Sequence, residues 1–155
     1  MNSLVVGGLI KRIYPKFNLY NFSYRLRLQK IVYLLQEQGI NLGYTFSWYI
    51  YGPYSTALTK DAFNIGNFDE VKPVGFEDEK VKQRFTEFIE KIESKKESDD
   101  WLEIASSIHL LKKMYSSETK KQIIERVCNK REALKSKKEE IEHIWDELTE
   151  WRWLI

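Results

Sequence analysis

Apolar residues recur along most of this chain at helical spacing, and the stretches that break the rule are few. After an apolar start over residues 4–13, Tyr24, Leu28, Ile31, Val32 and Leu35 follow the helical template across residues 23–38. Ser23 is placed to cap the first turn of that helix and Gly39 to end the last. At 100° per residue, Leu26 and Tyr33 fall on the opposite side, among Gln29, Lys30 and Glu37. A second stripe means either a helix packed on two sides or an exposed contact strip.

Residues 44–51 change the period from 3.6 to 2. Tyr44, Phe46, Trp48 and Ile50 alternate with Thr45, Ser47, Tyr49 and Tyr51, which predicts a strand that stops at Gly52-Pro53. Ser55 or Thr56 caps a short helix carrying Leu58, Ala62 and Phe63, and residues 66–75 read as a loop. A short strand over 71–76 is expected to pair with the first.

Four helices follow. One opens on the acids at 77–79 and carries Val81, Phe85, Phe88, Ile89 and Ile92. The next, over 101–115 with Asp99 or Asp100 as cap, is apolar around most of its circumference and is expected to be the buried one. A third starts at Ser117 with Ile123, Ile124, Val127, Cys128 and Leu134, and the last runs over 137–153. The pattern predicts a mainly α fold of the α+β class. About six helices surround one buried helix, with a small β element near 44–51 and 71–76. One domain spans 1–155, with a helix–strand–turn region at 23–63 and a helical region at 77–153.

Charge sharpens this picture. The 155 residues carry a net charge of only +2, yet the first sixty hold seven basic residues, one acid and eight of the nine tyrosines. Residues 119–138 carry +6 and 139–150 carry −6, so the last two helices are expected to pack antiparallel with complementary blocks meeting at the rims. The alternative for the basic block is a phosphate-binding face. A single cysteine excludes an internal disulfide framework and suits a reducing cytosol. No apolar run reaches the roughly 18–20 residues of a membrane span, and the start lacks a basic n-region. The expectation is a soluble cytoplasmic domain with no membrane contact.

Catalytic signatures are missing. No phosphate-binding loop, GxGxxG, GxSxG or HExxH occurs, and Gly7-Gly8 alone is a turn signal. His143 reads as a solvated helix residue, His109 as a partly buried, satisfied one, and Cys128 as a small hydrophobe on a packing stripe. A Cys128–His109 nucleophile pair has no local motif behind it. No catalytic residue, cofactor or metal site is predicted.

The block Leu28-Gln29-Lys30-Ile31-Val32-Tyr33-Leu34-Leu35-Gln36, followed by Phe46-Ser47-Trp48-Tyr49-Ile50-Tyr51-Gly52-Pro53-Tyr54-Ser55, resembles a known pair of motifs. It is similar to the LQKLLYL…YGP pattern of the Panacea and SocA-like phage-associated family, nearer to its YwgA-type relatives. The resemblance spans about residues 25–62. It implies a mostly helical domain with a small β element, acting as an antitoxin module or as an adaptor that presents a toxin to a protease. Leu28, Gln29, Lys30, Tyr33, Gln36, Tyr51, Gly52, Pro53 and Tyr54 are the residues it carries over, none of them catalytic.

Read physically, Gln29 and Gln36 are seven apart on one helix side, so their amides can bind the backbone of the following strand or turn. Gly52-Pro53 makes a stiff corner presenting Tyr51 and Tyr54. Leu28, Gln29, Gln36, Trp48, Tyr51, Gly52 and Pro53 are therefore assigned structural roles. Arg25, Lys30, Tyr33, Tyr49 and Tyr54 are the predicted contacts for a protein partner, a toxin or protease system. Two alternatives stand beside this reading. One is a nucleic-acid-binding regulator using Arg25, Arg27 and Lys30 or the basic run; the other is a homodimer face that includes Trp151 and Trp153, for which the competing reading is the last core contact.

Overall fold

A computed structural model describes residues 3–154, which form seven α-helices and one two-stranded hairpin. The helices are α1 (Ser3–Ile13), α2 (Phe22–Glu37), α3 (Thr56–Ile65), α4 (Glu79–Ile92), α5 (Asp99–Met114), α6 (Lys120–Asn129) and α7 (Lys138–Glu150). Two single 3-10 turns, Phe68–Glu70 and Glu132–Leu134, complete the set. The fold is mainly helical with a small antiparallel sheet, as the periodicity predicts. None of the described helices is long and apolar enough to cross a membrane.

α1 is the helix the sequence did not predict. Its Gly7-Gly8 pair reads locally as a turn, but tertiary packing overrides that signal. A Cβ on Gly8 would lie 2.6 Å and 2.7 Å from the two Val74 methyls and 2.9 Å from the Lys72 carbonyl oxygen. The glycines let residues 71–74 lie directly on the helix, where Val74 N–H donates to the Gly8 carbonyl (3.4 Å). Residues 71–76 therefore pack against α1 and do not pair with the strand at 47–49, contrary to the expected second strand. Gly8→Ala should destabilise the fold by about 1–2 kcal/mol in a thermal melt. The overpacking cost, about 1–3 kcal/mol, exceeds the roughly 1 kcal/mol gained in helix propensity.

α5 is buried along its whole length from Trp101 to Leu111, at the centre of the bundle against α2, α6 and α7. α2 is the second central helix. Its two stripes are both covered from Leu26 to Leu35, which resolves the two-sided pattern in favour of packing. Only its first turn stays open. Several predicted caps move by a residue or more. Asn21, not Ser23, caps α2 by accepting from Tyr24 N–H, while Ser23 Oγ donates to Asp99. Ser98 caps α5, leaving Asp99 and Asp100 in its first turn. α6 starts at Thr119 through a reciprocal capping box with Gln122.

Among the described residues the opposed charge blocks meet across the two helices at Lys120–Asp146 (2.8 Å) and locally at the start of α7 through Lys137–Glu140 (3.7 Å). The other pairs of the basic block are Arg126–Glu118, Lys130 and Arg131 with Glu103, Lys135–Glu132, and Lys137 with Asp100. Apolar packing, through Ile123, Ile124, Val127, Ile141, Ile144 and Leu148, sets the α6–α7 pairing more than charge does.

Candidate functional site

The two glutamines of α2 tie down the segment that follows the helix. Gln36 Nε2 donates to the Tyr44 carbonyl and Tyr44 N–H donates to Gln36 Oε1, both at 2.8 Å. One helical heptad earlier, Gln29 does the same for Ser55: Nε2 to the carbonyl at 3.1 Å, and Ser55 N–H to Oε1 at 2.8 Å. A primary amide has a donor and an acceptor side by side, so each glutamine imitates one rung of a β-ladder. Residues 44–55 are thus fixed at both ends to one face of α2.

Between those anchors lies the hairpin of β1 (Ser47–Tyr49) and β2 (Gly52–Tyr54), with Tyr49 opposite Gly52 and Trp48 opposite Pro53. The strand predicted over 44–51 is shorter, and its partner is the Gly-Pro-Tyr motif that was expected to terminate it. Pro53 is tolerated because a two-stranded sheet is all edge. Gly52 is required twice over. It adopts φ +96°, and a Cβ there would stand 2.5 Å from Ser107 Oγ on α5.

Two cationic anchors grip the hairpin from opposite sides. From α2, the Lys30 ammonium donates to the Pro53 carbonyl (2.7 Å). From the end of α6, Lys130 donates to the Ile50 carbonyl and to Glu103, both at 2.5 Å. Glu103 also takes a two-pronged bond from Arg131, at 2.9 Å and 2.6 Å. Burial acts to raise the Glu103 pKa, but the bonds from Arg131 and Lys130 outweigh it and hold the carboxyl below its usual range. Lys30 has no such compensation. It is 2% exposed, and burial pushes its pKa down to about 7, with the Glu103 charge only partly opposing.

Beside this scaffold opens a cleft of about 270 Å³ between the first half of α2, the hairpin tip and α3. Leu26, Leu28 and Ala62 form its apolar base. Its rim is aromatic and exposed: Phe22 packs edge-on to Tyr51 (5.6 Å between centroids), and Phe63 to Tyr20 (6.5 Å). Phe22 is 53% exposed, Phe63 49% and Tyr20 74%. Arg25 donates to the Leu19 carbonyl (3.1 Å) with its guanidinium 5.9 Å from the centre of the Phe22 ring.

The predicted partner contacts divide. Arg25 and Tyr54 line the cleft, and Tyr49 is exposed beside it, packed edge-on to Tyr54. Lys30 and Tyr33 are not surface residues. Each is 2% exposed, because the hairpin and α5 cover the strip of α2 that carries them. Tyr33 instead meets His109 Nδ1 across α5 (2.8 Å). Burial lowers the His109 pKa and raises that of Tyr33, so both groups are held neutral and share one proton between them, the donor being set by the imidazole tautomer. Of the structural assignments, Tyr51 is the exposed exception, joining Phe22 at the rim and lying under Arg131 (5.1 Å).

Phe22, Phe63 and Tyr20 were not among the predicted contacts. Phe22 continues the second stripe of α2 one turn before Leu26, and Phe63 follows Ala62 on α3, but nothing in the spacing marks either ring as exposed. Glu103 was missed too, although it is the one acid in the run over 101–111, where the other polar residues are Ser106, Ser107 and His109. Cys128 is buried, and burial raises its thiol pKa; His143 is exposed, 3.9 Å from Glu147. No family model, curated protein or solved structure matches the chain.

Proposed function

We propose that this chain is a non-enzymatic protein-binding module that receives its partner at the aromatic cleft, in the manner of an antitoxin or an adaptor. The supporting observation is the concentration of exposed aromatic rings, Phe22, Tyr51 and Phe63, around a concave apolar base, with Tyr20 packed against Phe63. Rings of this kind contribute large contact area at little conformational cost, and contiguous exposed apolar surface on a soluble domain marks an interaction site. The rigid hairpin behind them favours binding without a rearrangement to offset. The Panacea-like resemblance of residues 25–62 covers this same region.

The nucleic-acid alternative draws less support. Of the cations it rests on, Lys30 is buried and Arg27 is clasped by Glu97 and Asp99 at 3.0 Å and 2.7 Å. Much of the basic run at 120–138 is paired with carboxylates of the same chain. The test is affinity capture from host lysate with the native chain and a Phe22→Ala/Phe63→Ala variant, followed by titration of the purified partner. The double variant should weaken binding by at least about tenfold, with the melting temperature unchanged. Equal affinity for both chains would remove this surface from the function.

A further inference from the structure

The chemistry of the cleft limits what can fill it. Pockets for drug-sized ligands span roughly 300–1,000 Å³, and at about 270 Å³ this one is sized for a single large side chain. Its lining contains two cations, Arg25 and Lys30, and no carboxylate. Its polar groups are turned to donate. Gln29 Nε2 donates to Thr59 Oγ1 (2.8 Å), and Thr59 Oγ1 donates to Tyr54 Oη (2.7 Å). The relay runs outward and leaves the Tyr54 proton to donate into the cleft that Tyr54 lines. Lys30 Nζ is turned away into the Pro53 carbonyl, so it does not make the contact. The reachable charge is Arg25 at the rim, which among the described residues is bonded to a carbonyl and to no carboxylate.

We infer that the cleft accepts an acidic–aromatic segment of a protein partner: one large apolar side chain seated between Phe22, Tyr51 and Phe63, with an aspartate or glutamate beside it on Arg25. This rests on the protein-binding reading above and names the chemistry of the partner. A neutral segment fills the base but leaves Arg25 without a carboxylate and the Tyr54 proton without an acceptor. An acidic one satisfies both, and a guanidinium held against an aromatic ring is already oriented for a carboxylate.

Three short peptides test this against the ¹⁵N-labelled full chain by NMR. They are acetyl-Gly-Asp-Phe-Gly-amide, its Asn counterpart, and acetyl-Gly-Phe with a free carboxyl. The Asp peptide should shift Phe22, Leu26, Tyr51 and Phe63 and bind about fivefold tighter than the Asn peptide at low salt, the yield of one rim ion pair. Arg25→Gln should bring that ratio to about one without lowering the melting temperature or abolishing apolar binding. Equal binding of the Asp and Asn peptides to the native chain overturns the inference, as do shifts confined to other surfaces. Tighter binding of the free-carboxyl peptide moves the site to a chain terminus and also overturns it. So does a native chain that sediments as a dimer and becomes monomeric on Phe63→Ala, since the occupant is then a second copy. If partner capture depends on Phe22 and Phe63 while no Asp preference appears, the inference fails and the binding-module reading stands. If neither capture nor peptide binding occurs, both fall.

Discussion

Replacing Lys30 with glutamate is expected to cost the fold about 3–5 kcal/mol, the range for leaving an uncompensated charge in a protein interior. The side chain is 2% exposed and its ammonium caps the Pro53 carbonyl at 2.7 Å. A carboxylate there would oppose that carbonyl and add a negative charge to the field of Glu103. For a domain of this size, a loss of that order lowers the melting temperature by about 10 °C or more, which calorimetry or circular dichroism will register. A melting temperature within a few degrees of the native value would show that Lys30 is solvated after all.

The same residue gives a pH signature with a definite sign. Because burial depresses the folded pKa of Lys30 to about 7, the unfolded chain holds a proton that the folded chain lacks from there up to the ordinary lysine value near 10.4. Stability contributed at this site therefore rises with pH across that window and is lost as pH falls through about 7. Lys30→Met removes the titration, so the native chain should gain on the variant between pH 7 and 10. Even half the displacement, at about 1.4 kcal/mol per pH unit, moves the difference by about 2 kcal/mol. A difference that does not change with pH would place the titration elsewhere.

Glu103→Leu is the second large effect. It leaves Lys130, with its side chain 5% exposed, and Arg131 without their shared carboxylate, and should destabilise by about 3–5 kcal/mol. Replacing all three together, with Lys130→Met and Arg131→Met, should recover much of that loss, because a buried ion pair is worth little relative to apolar side chains of similar volume. If the triple variant is no better than the single one, the cluster stabilises the fold beyond satisfying its own charges. Amide exchange localises the effect: residues 47–54 should exchange faster in Glu103→Leu, since Lys130 also holds the Ile50 carbonyl.

What the sequence made legible follows from periodicity. The helices from α2 onward, the burial of α5 and the two amide latches of α2 could all be read from spacing alone. What it concealed depends on which surfaces come together. A hairpin of three residues a side is too short to announce its partner, so 52–54 read as the stop of the strand and 71–76 as the segment that pairs with it. The strip bearing Lys30 and Tyr33 looked polar enough for solvent, and only the hairpin lying on it decides otherwise. Gly7-Gly8 illustrates the same limit: local chemistry favours a turn, and the close approach of Val74 explains the helix. The cleft was half legible. Tyr54 came with the motif and Arg25 with the basic residues set beside aromatics, whereas Phe22 and Phe63 acquire meaning only once α2 and α3 are set side by side.

The grip of Lys130 and Arg131 on the hairpin has a consequence for synthesis. Every side chain lining the cleft is encoded within residues 19–63, yet the hairpin that forms one of its walls is held by Lys130, 80 positions beyond Ile50, together with its partners Glu103 and Arg131. Contacts that distant in sequence form late. A nascent chain growing from its N-terminus at about 5–20 residues per second displays the exposed rings of the cleft for seconds before the residues that set their geometry exist. The proposed binding surface is written first and completed last, so a partner that requires the finished cleft would distinguish a chain carrying residues 103–131 from one terminated before them.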